Sequence, residues 1–211
     1  MFCNVNLGNI YVNEAPDVMS AFFKKERLSS VSEEVSRVID YLYNFAFVDL
    51  MTGLKNRNAY EETMRSLRSA SSKLSGLRVV VIDVDRLKSI NDNYGHDCGD
   101  VAIKTVGRCI AKAFDDEELL FRYGGDEFIC MSYTDVSKNI KVFNQLINQE
   151  KFSFTFPLSA SVGMAKYDKN VDTGIDALMK RCDEIMYSNK KAKKEMEFKI
   201  DFQVSVSAQT A

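Results

Sequence analysis

Apolar residues recur along this chain with two distinct periods. Val31, Val35, Val38, Ile39, Leu42, Phe45 and Ala46 follow the three- and four-residue spacing of one helical face. Ser30-Val31-Ser32-Glu33 has the form of a capping box, so a helix is predicted over about 30–47. No strong period marks the residues up to about Leu28. Val79-Val80-Val81-Ile82 is a different pattern, an uninterrupted β-branched run suited to a buried strand. Leu119-Leu120-Phe121 and Phe128-Ile129-Cys130-Met131 are two more apolar runs, joined by Arg122-Tyr123-Gly124-Gly125-Asp126-Glu127. That arrangement reads as two short strands and a glycine turn. After Asp49 the predicted order is a helix at about 57–72, a strand at 77–83, a helix at 98–114 and the hairpin at 119–133. A helix at about 136–148, strands within 152–165, a helix at 174–193 and a last strand at 197–206 complete it. Gly76 and the Pro157 region act as breakers. Strands alternating with helices predict an α/β (α+β) sandwich, its central sheet mixed because of the hairpin. The domain is expected over 49–206, after an N-terminal extension at 1–48.

Composition narrows the class. A chain of 211 residues fits one domain with a short extension. A formal net charge of −2 gives no sign of a nucleic-acid-binding surface. The five cysteines are scattered, no C-x-x-C spacing occurs and the chain has one His, which argues against structural zinc. Cys109, Cys130 and Cys182 lie in apolar contexts and read as small core residues. Free thiols point to a reducing compartment. No apolar run is long enough to span a bilayer, and the Met1-Phe2-Cys3 start lacks the basic and apolar regions of a signal peptide. The expectation is a cytoplasmic protein without membrane insertion or a nucleic-acid partner.

Two acidic clusters carry the candidate chemistry. The β-branched run ends in Asp83-Val84-Asp85, followed by Lys88, Asn91, Asp92, Gly95, His96, Gly99 and Asp100. The second cluster is Asp126-Glu127 at the glycine turn. A carboxylate at the end of a central strand is costly to bury unpaired, which suggests a cation partner. If the hairpin lies beside that strand, Asp83, Asp126 and Glu127 share one pocket. Oxygen-only ligands of that kind suit Mg²⁺, which takes one or two protein carboxylates together with waters and substrate phosphates. The plainer alternatives are an ordinary polar turn and solvated loop acids.

Five segments, in order, resemble the GGDEF domain, the catalytic module of diguanylate cyclases, over about Asp49 to Phe202. They are Asp49-Leu50-Met51-Thr52-Gly53-Leu54-Lys55-Asn56-Arg57, the run from Asp83 to Asp100, Arg122 to Phe128, Leu158-Ser159-Ala160-Ser161-Val162-Gly163, and Leu178 to Tyr187 with Lys190. The resemblance implies a sheet wrapped by helices, similar to adenylate cyclase and polymerase palm domains. It implies condensation of two GTP into cyclic di-GMP with release of two pyrophosphates. It also implies two Mg²⁺ per active site, with Mn²⁺ as a substitute, held by Asp83, Glu127 and the Val84 carbonyl. Asp126 falls on the catalytic position beside the metal. Asn91 and Asp100 match the guanine contacts, and Asp100 favours cyclic di-GMP over mixed dinucleotides. His96 matches a substrate-side position or is only a loop-packing residue. Lys88 and Lys190 match phosphate-contacting positions, Lys194 stands where an Arg is usual, and the backbone amides of Arg86 and Leu87 line the phosphates as an anion nest. One domain holds one GTP, so two copies must face each other across a two-fold axis.

The family's product-inhibition pair, Arg-x-x-Asp, is replaced by Asp115 and Glu118, an acidic patch expected to repel the anionic product. The helix at about 30–47 either packs on its own domain or pairs with a second chain and carries the signal of an upstream sensor. The competing reading of the whole chain is a catalytically silent module that binds GTP or a dinucleotide.

Overall fold

The computed structural model of the protein describes residues 33–114, 119–150 and 153–209. Strand β1 (Arg78–Val84) is central in a four-stranded sheet. The others are β2 (Leu119–Arg122), β3 (Glu127–Ser132) and β4 (Ala160–Lys166), in the order β2-β3-β1-β4. All three pairings are antiparallel. Parallel pairing, which would make the sheet mixed, is confined among the described residues to an isolated bridge between Lys55 and Phe121.

The helices are α1 (Glu33–Phe47), α2 (Arg57–Ser69), α3 (Leu87–Tyr94), α4 (His96–Ala113), α5 (Ser137–Glu150) and α6 (Ile175–Gln209). Successive β1 side chains point to opposite faces, and both faces are covered. Val80, Ile82 and Val84 join Ala102, Val106 and Ile110 of α4 and Phe143 and Ile147 of α5. Val79 and Val81 join Tyr60, Met64 and Leu67 of α2 and Ile175, Leu178, Cys182 and Met186 of α6. Burial on both faces explains why the β1 sequence is uniformly apolar rather than alternating. Gly163 on β4 lets α6 close on the sheet. A Cβ there would stand 2.2 Å from the Cys182 carbonyl oxygen and 2.4 Å from the Met186 nitrogen.

The predicted elements recur with three corrections. Leu87–Tyr94, expected as part of a loop, is a helix, and Gly95 at φ 88 turns the chain from it into α4. Within 152–165 only β4 is a strand among the described residues. Before it, Phe154 and Phe156 stack at 4.9 Å instead of pairing on the sheet. The strand expected at 197–206 is helix, because α6 continues to Gln209. No Gly or Pro occurs between Ile175 and Gln209, and Lys191 pairs with Glu195 one turn along. The predicted beginning of the first helix at Ser30 lies outside the described residues.

Candidate active site

The acids meet because of strand register. Asp83 is the penultimate residue of β1 and lies opposite Glu127, the first residue of β3. The Val84 N–H donates to the Asp126 carbonyl at 3.0 Å, which holds the glycine turn against the end of β1. The hairpin therefore lies beside β1, the condition that the sequence left open. Asp83 is buried, at 8% exposure, and Asp126 and Glu127 are half-buried. The Lys190 ammonium of α6 donates to the Asp83 carboxylate. Burial raises the Asp83 carboxyl above its ordinary range, Lys190 pulls it back, and Asp126 and Asp85 push it up. Burial also raises Glu127, helped by Asp126, Asp83 and Asp183 and opposed by Lys190. Crowded acids of this kind attract a cation.

Among the described residues no three His, Cys, Asp or Glu side chains are grouped to hold a metal ion alone. Two opposed carboxylates with raised proton affinity nevertheless fit a divalent ion whose remaining ligands are water and phosphate. Asp83 and Glu127 are the side chains able to hold it, with the Val84 carbonyl and Asp126 beside them.

Several of the residues expected on the nucleotide side lie on the two helices that follow β1. Arg86 takes a left-handed backbone, φ 58, and opens α3. The first amides of a helix have no intrahelical acceptor, so the start of α3 at Leu87 is a place where backbone N–H groups can meet an anion. Asn91 packs in a notch left by Gly99, where a Cβ would stand 1.9 Å from its Oδ1. That Oδ1 is buried and unpaired. The notch draws α3 against the residue preceding Asp100, which is half-buried. Leu87 is half-buried, while Lys88, His96 and Lys194 are exposed. The structure thus joins Asp83, Val84, Asp126, Glu127 and Lys190, and gathers Arg86, Leu87, Asn91 and Asp100 on α3, α4 and the turn before them. Asp115 and Glu118 lie outside the described residues.

Two supports of the site went unread in the sequence. Arg122 Nη1 lies 3.2 Å from both oxygens of Asp49, and its Nη2 donates to the Gly125 carbonyl at 2.9 Å. Asp49 also accepts from the Thr52 N–H and hydroxyl, and the Asn56 and Asn58 amides donate to the Ala46 carbonyl at the end of α1. Arg122 thus ties the Asp49 turn to the glycine turn, and the two Asn amides tie the end of α1 to the start of α2. The second support is Asp85, held by Ser159, Ser161 and Lys193. Its signal was available: Asp85 follows Asp83 by two residues, the spacing that keeps side chains on one side of an extended chain, just past the end of β1, and Lys190 and Lys193 share one face of α6.

Comparison with known proteins gives the family and the fold. Residues 46–196 match the family described as Diguanylate cyclase, GGDEF domain. Diguanylate cyclase DgcS of Shewanella oneidensis is 28% identical over 149 residues, covering 69% of this chain and 50% of that protein. Cyclic di-GMP phosphodiesterase NbdA of Pseudomonas aeruginosa is 29% identical over 151 residues, 68% of this chain and 19% of that protein. The chain thus spans half or less of the length of these two relatives. The crystal structure of diguanylate cyclase SiaD in complex with its activator SiaC, from Pseudomonas aeruginosa, shares the fold. It superposes with a TM-score of 0.64 at 23% identity, covering 82% of this chain and 70% of that one. The strand register, the glycine turn and the family match over most of the chain lead to one conclusion: this chain belongs to the diguanylate cyclase GGDEF-domain family.

Proposed function

We propose that the chain is an active diguanylate cyclase that condenses two GTP into cyclic di-GMP and two pyrophosphates. The observation that carries this reading is the convergence of Asp83, Asp126 and Glu127 at the end of β1, next to the left-handed turn at Arg86. In each half-reaction a ribose 3′-oxygen bonds to an α-phosphorus and the bond to pyrophosphate breaks. Asp83 and Glu127 hold Mg²⁺ or Mn²⁺, which when bound neutralises phosphoryl charge and lowers the pKa of the attacking hydroxyl. Asp126, on the same turn, is the carboxylate for the hydroxyl proton. The Arg86 and Leu87 amides and Lys88, Lys190 and Lys194 bind the triphosphate. Asn91 offers its unpaired amide oxygen, and Asp100 its carboxylate, to the guanine edge, and His96 is the further substrate-side residue. Buried polar groups left unpaired by adenine disfavour ATP.

Mutual attack requires a second copy. Val35, Val38, Leu42 and Phe45, at a/d spacing on α1, are 47–69% exposed, as is Tyr41 at 69%. This unpaired seam favours the pairing role of α1 over packing on its own domain. Among the described residues no helix is long and apolar enough to cross a membrane. The test is pyrophosphate release against protein concentration. At low concentration the initial rate with GTP should rise with the square of protein concentration, with ATP inert. A rate linear in protein from a chain that sedimentation shows to be monomeric, or equal turnover of ATP, contradicts the proposal.

A further inference from the structure

Asp85 is an acid that the proposed chemistry leaves unused, although it is buried at 7% exposure. Its carboxylate accepts from Ser159 Oγ at 2.8 Å, Ser161 Oγ at 2.6 Å and Lys193 Nζ at 3.2 Å. Its own N–H donates to the Ser159 carbonyl at 2.9 Å. Lys193 also donates to the Ala160 carbonyl. The residue is thus fixed to β4, to the segment before it and to α6.

The residue after Asp85 is Arg86, the one non-glycine residue with positive φ among those described. Its Cβ disfavours that conformation. Such strain persists only where the surroundings over-determine it. Four hydrogen bonds on the preceding residue, and the Ile90 N–H donating to the Arg86 carbonyl at 3.0 Å, supply the constraint. The strained residue opens α3, whose first amides face the phosphate side of the site in the reading above.

We propose that Asp85, gripped by Ser159, Ser161 and Lys193, is a positioning residue that holds the Arg86 turn in its phosphate-binding shape. Lys193 then acts through Asp85, from α6, without touching the nucleotide. This rests on the GTP reading of the site.

The test is calorimetric titration with the α,β-methylene analogue of GTP, which cannot release pyrophosphate, in the presence of Mg²⁺. It is run on the wild type, Lys193→Met, Lys193→Arg, Asp85→Asn and the Asp85→Asn/Lys193→Met double variant. Melting temperatures and GTP turnover are measured alongside. Lys193→Met should weaken the analogue about three- to tenfold, the net scale of one ordinary hydrogen bond, because Lys193 acts at one remove from the ligand. Lys193→Arg should restore most of the affinity. The double variant should bind no more weakly than Asp85→Asn, because Lys193 acts only through that carboxylate. KM for GTP should rise more than kcat falls. Folded Lys193→Met and Asp85→Asn variants that melt lower but bind the analogue like the wild type would reduce the cluster to a structural prop and overturn the proposal. Additive losses in the double variant would overturn it as well, by giving Lys193 its own contact with the ligand. A wild type that binds the analogue but makes no cyclic di-GMP counts against the cyclase reading alone. A wild type that does not bind the analogue overturns both.

Discussion

Replacing Gly163 by Ala tests how the last helix is seated against the site. The added Cβ would stand 2.2 Å from the Cys182 carbonyl oxygen, 2.4 Å from the Met186 nitrogen and 2.7 Å from the Met186 Cβ. Two of these are backbone atoms of α6, so no side-chain rotation relieves the clash. The helix must retreat from β4 by about 1 Å, an overpacking cost of about 2–4 kcal/mol. For a domain of this size that lowers Tm by roughly 4–16 °C. The same helix carries Lys190 to Asp83 and Lys193 to Asp85, one and two turns beyond the clash. Displacement by about 1 Å at a reacting centre costs up to about a hundredfold in rate. Turnover should therefore fall even where the variant is fully folded. The assays are thermal unfolding and GTP turnover measured well below the variant's Tm. A Tm within about 1 °C of wild type, with unchanged turnover, would refute this account of how α6 packs.

Arg122→Met removes the link between Asp49 and Gly125, leaving the part-buried carboxylate and the turn carbonyl without that donor. Urea denaturation should show a loss of about 2–4 kcal/mol, and a loss below about 0.5 kcal/mol would contradict the structural weight given to this contact. Glu127→Gln should stabilise the ligand-free protein. Burial, with Asp126 and Asp83, raises the Glu127 carboxyl, so the folded chain keeps a proton that the unfolded chain has released. Stability therefore declines as pH rises from below the ordinary carboxylate range through the raised folded value. The variant should melt above wild type at about pH 7.5 and lose that advantage near pH 4, and a lower Tm at neutral pH would reverse the sign. Val38→Glu with Leu42→Glu should abolish self-association in sedimentation and cut the rate at least about tenfold at low protein concentration, with recovery on fusion to an unrelated dimeric coiled coil. Unchanged self-association would remove α1 from the pairing role.

Much of the site was legible because its chemistry is local in sequence. Asp83 closes an apolar run and Asp126-Glu127 follow two glycines, so both acidic clusters stand at the ends of recognisable strands. Their convergence was conditional on pairing and became definite only through the Asp83–Glu127 register. The strand at 197–206 failed because alternation of Phe198, Ile200, Phe202, Val204 and Val206 suits a strand while no breaker separates it from α6, and helix continuation prevailed. Leu87–Tyr94 was missed because its polar residues give little apolar period, and only Leu87 and Ile90 mark an inner face. Asp85 was hidden for another reason. Its partners Ser159, Ser161 and Lys193 lie more than seventy residues away, and only the folded sheet brings them to it. One regularity could have revealed it. Cys182, Met186, Lys190 and Lys193 form one stripe of α6, apolar against the apolar part of β1 and cationic against Asp83 near its end and Asp85 just past it.

The most direct test of the central claim is product analysis after incubation with GTP and Mg²⁺, with Asp126→Ala as the paired control. The account predicts cyclic di-GMP and pyrophosphate from the wild type and neither from a folded Asp126→Ala protein. Absence of cyclic di-GMP from the wild type at high protein concentration, with the chain shown to be dimeric and to bind GTP, would contradict it and leave a nucleotide-binding module without cyclase activity.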